Sequence, residues 1–290
     1  MTHFRPPQGR DETFHPRPVD TIVPARPLAA SGVSKTFFDL TQPWPLGLSR
    51  ASWPAHVKAV VLALFAVVWF DVWISQSAMA LPEVWRAPFF FITDFGLSDW
   101  VLIPALVLLV AALAIMLPLR RGRYRRAFYE FVLLSGYLFI GVGAPGLAAN
   151  IMKRLIGRGR PVVYDEVGGF EFQRVVNDWT FQSFPSGHAT TSLAIAFVIG
   201  FMAPRFFWIL LLIAAAAALS RVPVGMHYPT DVVAGFVVGT LGAYLVRNEF
   251  ARRRWLFKRH ADGTVHFRGL PGLRRLWRGW RRKRNESLVA

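Results

Sequence analysis

KRLIGRGRP, residues 153–161, opens the stretch on which the reading of this chain turns; PSGH, 185–188, lies at its middle and SRVPVGMHYPTD, 220–231, closes it. Between the last two clusters run ATTSLAIAFVIGFMA (189–203) and FFWILLLIAAAAAL (206–219), apolar enough to be buried helices. Two histidines, several cations and a carboxylate therefore punctuate apolar segments. Such groups are expensive in an apolar setting unless they serve something.

Working outward, apolar runs of similar kind recur on the N-terminal side. Of the 290 residues 53% are hydrophobic and mean hydropathy is +0.35, while charged residues make up only 18%. An integral membrane protein is expected. The spans are expected near Ala55–Ala78, Trp100–Leu119, Ala127–Ile151, His188–Ala203, from there to Ser220, and Pro229–Val246. Spans four and five are short for a crossing of about 20 residues. Asp71 lies near the far end of the first span and is read as interfacial. Residues 79–99 are read as a loop with the aromatics Phe89, Phe90 and Phe91, and Glu130 as the i,i+4 partner of Arg126. Residues 1–54 are proline-rich and polar, which predicts a disordered lead-in without a cleavable signal peptide. Residues 247–290 form a strongly basic tail with Trp277 and Trp280, expected to dock on anionic lipid rather than on nucleic acid. There is no cysteine, so disulfides and thiolate chemistry are excluded.

The net charge of +17 reports orientation. Most of the Lys and Arg residues fall in the two terminal segments and the 120–126 loop. With six spans these lie on one side, so both termini are expected in the cytoplasm. Lys153, His188, Arg221 and His227 then all fall at outward helix ends, at one level of the membrane.

That constellation suits a phosphate. Lys153, Arg160 and Arg221 offer cationic donors. Ser186 and Gly187 precede a helix start, where free N–H groups favour an anion. Asp231, four residues after His227, can hold one ring nitrogen and leave the other to attack; His188 is available as general acid. Arg154 and Arg158 are read as loop or headgroup contacts, Asn150, Tyr228 and Thr230 as packing or support, and Asp165, Glu166, Glu171 and Asp178 as a solvated loop face.

The motifs K-x6-RP (Lys153, Arg160, Pro161), PSGH (185–188) and SR-x5-H-x3-D (Ser220, Arg221, His227, Asp231) resemble those of the type 2 phosphatidic acid phosphatase superfamily, which includes vanadium haloperoxidases. The resemblance covers about residues 55–246. It implies an all-α polytopic membrane protein whose six transmembrane helices hold a phosphatidic acid phosphatase/haloperoxidase-like core, between a 1–54 cytoplasmic tail and a 247–290 basic cytoplasmic tail. It implies His227 as nucleophile forming a phosphohistidine, Asp231 orienting it, His188 protonating the leaving group, and Lys153, Arg160, Ser186, Gly187 and Arg221 binding phosphate. No metal and no cofactor are implied. The expected activity is hydrolysis of a lipid phosphate at the outer face of a bacterial-type inner membrane. Candidate substrates are phosphatidate, phosphatidylglycerophosphate, a polyprenyl diphosphate and the phosphates of lipid A. A lipid phosphotransferase using the same intermediate, and a non-catalytic anchor or scaffold, stay open.

Overall fold

A computed structural model describes residues 39–174 and 178–289, without the side chains of 283 and 286–289. The rest of the expected N-terminal tail, 1–38, lies outside the described residues.

The described residues are mostly helical. In order come α1 (Trp53–Val68), α2 (Asp71–Met79), α3 (Glu83–Ile92), α4 (Asp99–Met116), α5 (Arg123–Ile156), a short α6 (Tyr164–Val167), α7 (Gly187–Met202), α8 (Phe207–Leu219), α9 (Pro229–Arg252), a hairpin of β1 (Phe257–Arg259) and β2 (Val265–Phe267), and α10 (Pro271–Val289). The strands are antiparallel, with Phe257 opposite Phe267 and Arg259 opposite Val265.

Among the described residues, three helices are long and apolar enough to cross a membrane: Glu83–Met116, Arg123–Ile156 and Pro229–Arg252. A fourth candidate is the pair α1 and α2, bent by 52°. The other two expected spans are the shorter apolar helices Gly187–Met202 and Pro204–Leu219. At 1.5 Å per residue, α7 reaches about 24 Å, short of a hydrocarbon core of about 30 Å. Six full-length spans are therefore not what the structure shows. The outward faces are lipid-like in character: Phe65 on α1, Ile103, Val107 and Val110 on α4, and Ile209 and Leu212 on α8 are all exposed.

α7 is the centre of the bundle. Nearly every residue from Ala189 to Phe201 is buried, against α5, α8 and α9. Glycine sets how closely α9 approaches. A Cβ on Gly235 would stand 2.7 Å from both the Ala189 Cβ and the Ser186 carbonyl oxygen, and one on Gly239 would strike the Thr190 carbonyl. The GxxxG spacing therefore lets the two backbones touch. This seam places the start of α9 beside the start of α7.

Several expectations change. Residues 79–99 are mostly helical, because α3 continues toward α4 through the 3-10 turn Thr93–Gly96. Glu130 does not pair with Arg126; its carboxylate accepts from Gly272 N at 2.8 Å and Leu273 N at 3.1 Å, capping α10. Carboxylates favour helix N-termini because unpaired N–H groups and the helix dipole converge there. The segment before α1 is tied down from residue 39 onward: buried Arg247 donates to the carbonyls of Leu40 and Gln42, both at 2.6 Å. Val265 N also donates to Thr41 O at 2.7 Å. The region after 247 is folded onto the bundle, with Phe257 buried against Tyr137 (ring centroids 4.9 Å apart). Arginine content hid these contacts, since a basic run reads as a tail whether or not its apolar residues find a core.

Candidate active site

The site is assembled where α5 ends and α7 and α9 begin. Gly157 closes α5 in the left-handed region (φ 69°), and a Cβ there would strike the Gln173 carbonyl. This stop, four residues after Lys153, turns Arg158 and Arg160 back over the bundle. The following loop is stitched to the other two motifs. Ser183 N donates to Arg158 O at 3.0 Å, Val162 N to Gly225 O at 3.0 Å, and Ser186 N to Asp231 O at 2.9 Å.

His227 is buried, and its Nδ1 lies 2.7 Å from the Ser183 carbonyl oxygen. A carbonyl only accepts, so Nδ1 carries the proton and Nε2 keeps its lone pair. The Asp231 carboxylate is at 3.7 Å from Nδ1, beyond hydrogen-bond reach. The expectation that Asp231 grips the ring directly is thus replaced: the Ser183 carbonyl grips it and Asp231 supplies charge beside it. Burial pushes His227 down to about 4, despite Asp231, with Arg160 and Arg221 adding to the effect. The ring is neutral at pH 7, as a nucleophile must be.

Asp231 is held by three donors. It accepts from Ser183 Oγ at 2.5 Å, Tyr228 N at 2.8 Å and Arg158 Nη1 at 2.7 Å, and lies at the start of α9. Arg158, 4% exposed, also donates through Nη2 to Asp71 at 2.9 Å and lies over the Tyr228 ring at 4.2 Å. Asp71, fully buried, accepts from Thr230 N at 2.9 Å and from the Thr230 hydroxyl. Asp71 is therefore no interfacial residue, and Arg158 is no headgroup contact. Together they brace α2 against the start of α9. The signal in the sequence was a lone acid in an apolar run, since a buried carboxylate needs a counter-charge; its partner, 87 positions away, was not legible. Thr230 joins the two.

The phosphate-binding candidates gather alongside. His188 lies within electrostatic reach of Arg221, His227, Lys153 and Arg160. A Cβ on Gly187 would come 3.1 Å from the Lys153 ammonium, so glycine lets that side chain lie close against the start of α7. Lys153, Gly187 and His188 line a cavity of about 300 Å3 with Asn150, Gly146 and Leu97. Arg160 donates to Met226 Sδ at 3.0 Å and lies over Trp179 at 5.2 Å. Arg221 donates to Thr93 Oγ1 at 2.8 Å, and burial, then Arg160, lowers it to about 10. The Nε atoms of Arg160 and Arg221 have no hydrogen-bond partner among the described residues. Ser186 is buried and its hydroxyl caps α7, accepting from Ala189 N at 3.4 Å. Arg154 turns away, donating to the Asn150 carbonyl at 3.0 Å. The turn Thr93–Gly96 forms a wall that nothing in the sequence announced: Thr93 engages Arg221, and a Cβ on Gly96 would press on His188 at 3.1 Å. Lys153, Arg160 and Arg221 thus lie within electrostatic range of the two imidazoles beside the start of α7, an arrangement that can bind a phosphoryl group and attack it. No group of three or more His, Asp or Glu residues able to hold a metal occurs among the described residues.

Comparison with known proteins gives the following. The family model for the PAP2 superfamily matches residues 131–255. A lipid A 1-phosphatase of Rhizobium johnstonii is 32% identical over 75% of this chain and 89% of its own length. A lipid A 1-phosphatase of Rhizobium etli is 35% identical over 71% of this chain and 87% of its own. Phosphatidylglycerophosphatase B of Bacillus subtilis is 27% identical over 66% of this chain and 88% of its own.

Proposed function

This chain belongs to the PAP2 superfamily and is a membrane lipid phosphatase; from that membership and the site just described, we propose that it hydrolyses a lipid phosphomonoester through a phosphohistidine on His227. The two lipid A 1-phosphatases named above favour the 1-phosphate of lipid A as substrate, ahead of phosphatidylglycerophosphate, phosphatidate or a polyprenyl diphosphate. The observation that carries the mechanism is the Ser183 carbonyl on His227 Nδ1, which leaves the Nε2 lone pair for the phosphorus.

Lys153, Arg160 and Arg221, with the N–H groups at the start of α7, hold the phosphoryl oxygens. Nε2 attacks phosphorus as the P–O bond to the lipid breaks, and His188 gives its proton to the departing oxygen. The negative charge of bound phosphate offsets the cations facing His188 and makes a protonated ring tolerable there. Water then attacks the phosphorus, its proton returning to His188, and the N–P bond breaks to release inorganic phosphate. Asp231 stabilises the charge that His227 acquires in both steps. The catalytic helix ends face the outer side of a bacterial-type inner membrane, and both termini lie in the cytoplasm. Crossing of the bilayer by the short α7 and α8 completes six passes. α10, with its arginines on one side and Trp277 and Trp280 more than half exposed, lies on anionic lipid headgroups at the cytoplasmic surface.

Rapid acid-free quenching of the purified protein with a 32P-labelled lipid phosphate should trap label on the protein in an acid-labile, alkali-stable bond. Label that is alkali-labile, or steady turnover with no label at any time, would sink the mechanism. Transfer of label to an added lipid alcohol in preference to water would favour the phosphotransferase. Cations of the protein supply all the charge this scheme needs, so turnover is expected to survive excess EDTA unchanged. Loss of activity that a divalent ion restores would contradict it.

A further inference from the structure

A second polar cavity lies at the other end of the molecule. α9 starts at the candidate active site, and its 24 residues carry the chain about 36 Å away from it. There, between the end of α9 and the hairpin, is a cleft of about 980 Å3. Arg254, Lys258, Arg259 and Arg268 stand around it, and Trp44 and Leu245 form its apolar side. The only acid among its described lining residues, Glu249, is taken by Arg252 and Arg253, at 2.7 and 2.5 Å. Arg254, Lys258 and Arg259 have no ion-pair partner among the described residues.

The walls are built, not loose. Phe257 and Val265 of the hairpin are buried in the main core with Tyr137 and Phe250. Arg268 Nη1 donates to the Arg254 carbonyl at 2.7 Å, closing one end. Leu245 is 57% exposed and follows the half-buried Leu241 and Val238 on one side of α9. An apolar strip therefore runs directly into a ring of cations. Soluble anions need no such strip; a phosphodiester carrying acyl chains matches both halves.

We propose that this cleft binds the headgroup of an anionic phospholipid, with its chains along Leu245 and Trp44, in the leaflet opposite the one where the reaction occurs. The proposal rests on the membrane placement of α9 given above but not on the chemistry, and its test reads binding alone. Native mass spectrometry of the full chain would count phosphatidylglycerol or phosphatidylcholine retained as detergent is stripped. The wild type should hold phosphatidylglycerol in preference. The double variant Lys258→Gln/Arg259→Gln, on exposed strand positions, should lose about tenfold in affinity for it. Arg120→Gln/Arg121→Gln, in another basic segment, should lose little. Equal losses in the two variants, or none in the first, would overturn the site. Glycerol phosphate displacing the lipid at matched concentration would overturn the lipid assignment in favour of a soluble anion. Turnover in detergent checks that both variants fold, and a wild type that binds lipid without hydrolysing any phosphate would leave the cleft standing while removing the proposed function.

Discussion

His227→Ala is expected to lower phosphate release by about 10^4-fold or more on every substrate, since removing a nucleophile leaves only binding and charge stabilisation. His188→Ala should behave differently. A general acid is worth about 10^2 to 10^4-fold, and only where the leaving oxygen needs a proton. With a lipid phosphate, His188→Ala should fall by that factor; with p-nitrophenyl phosphate, whose phenolate leaves unaided, it should stay within about tenfold of wild type. The two variants thus separate the two rings by leaving group. Equal sensitivity of both variants on both substrates would show that the imidazoles do not divide the work as proposed. Substantial turnover by His227→Ala would remove the nucleophile.

The second large effect concerns a residue far from any motif. Asp71→Asn is expected to reduce kcat about 100-fold with KM little changed, because Asp71 touches no reacting group and reaches Asp231 through Arg158 and Thr230. The same change strips a buried guanidinium of one counter-charge, which costs about 3–5 kcal/mol of stability. Stability and rate must therefore be pulled apart. The double variant Asp71→Asn/Arg158→Met removes both charges of that pair, while Asp231 keeps its bonds from Ser183 Oγ and Tyr228 N, and should recover part of the lost stability. It should not recover the rate, since Asp231 then lacks its 2.7 Å bond from Arg158. Arg158→Lys, which keeps the charge but not the fork, should fall between. If the double variant regains both stability and turnover, Asp71 and Arg158 are scaffold alone.

Both effects trace to how the chain closes on itself. Lys153, Arg160, His188, Arg221 and His227 could be assigned to one end of the bundle from the sequence, because the apolar runs between them reverse the chain at known places. Which of those groups touch could not be read that way. Asp231 lies one helical turn from His227, which made a direct bond look natural. The ring instead turned to the Ser183 carbonyl, 44 positions earlier in the chain, because Asp231 was already claimed by Arg158, Ser183 Oγ and Tyr228 N. Glu130 shows the same limit: four residues from Arg126, it found the unpaired N–H groups of α10 a better neighbour.

By itself, then, the order of apolar runs and polar clusters determined that this is a membrane protein whose imidazoles and several cations gather at one end of its helices, because hydropathy and chain reversal are local properties that add up along the sequence. Only the tertiary structure decided that Asp71 and Arg158 brace the site, that Thr93–Gly96 walls it, and that residues 40–42 and the hairpin after α9 fold onto the bundle. Those contacts depend on which side of each helix faces inward, and close glycine seams such as Gly235 and Gly239 against α7 set that rotation.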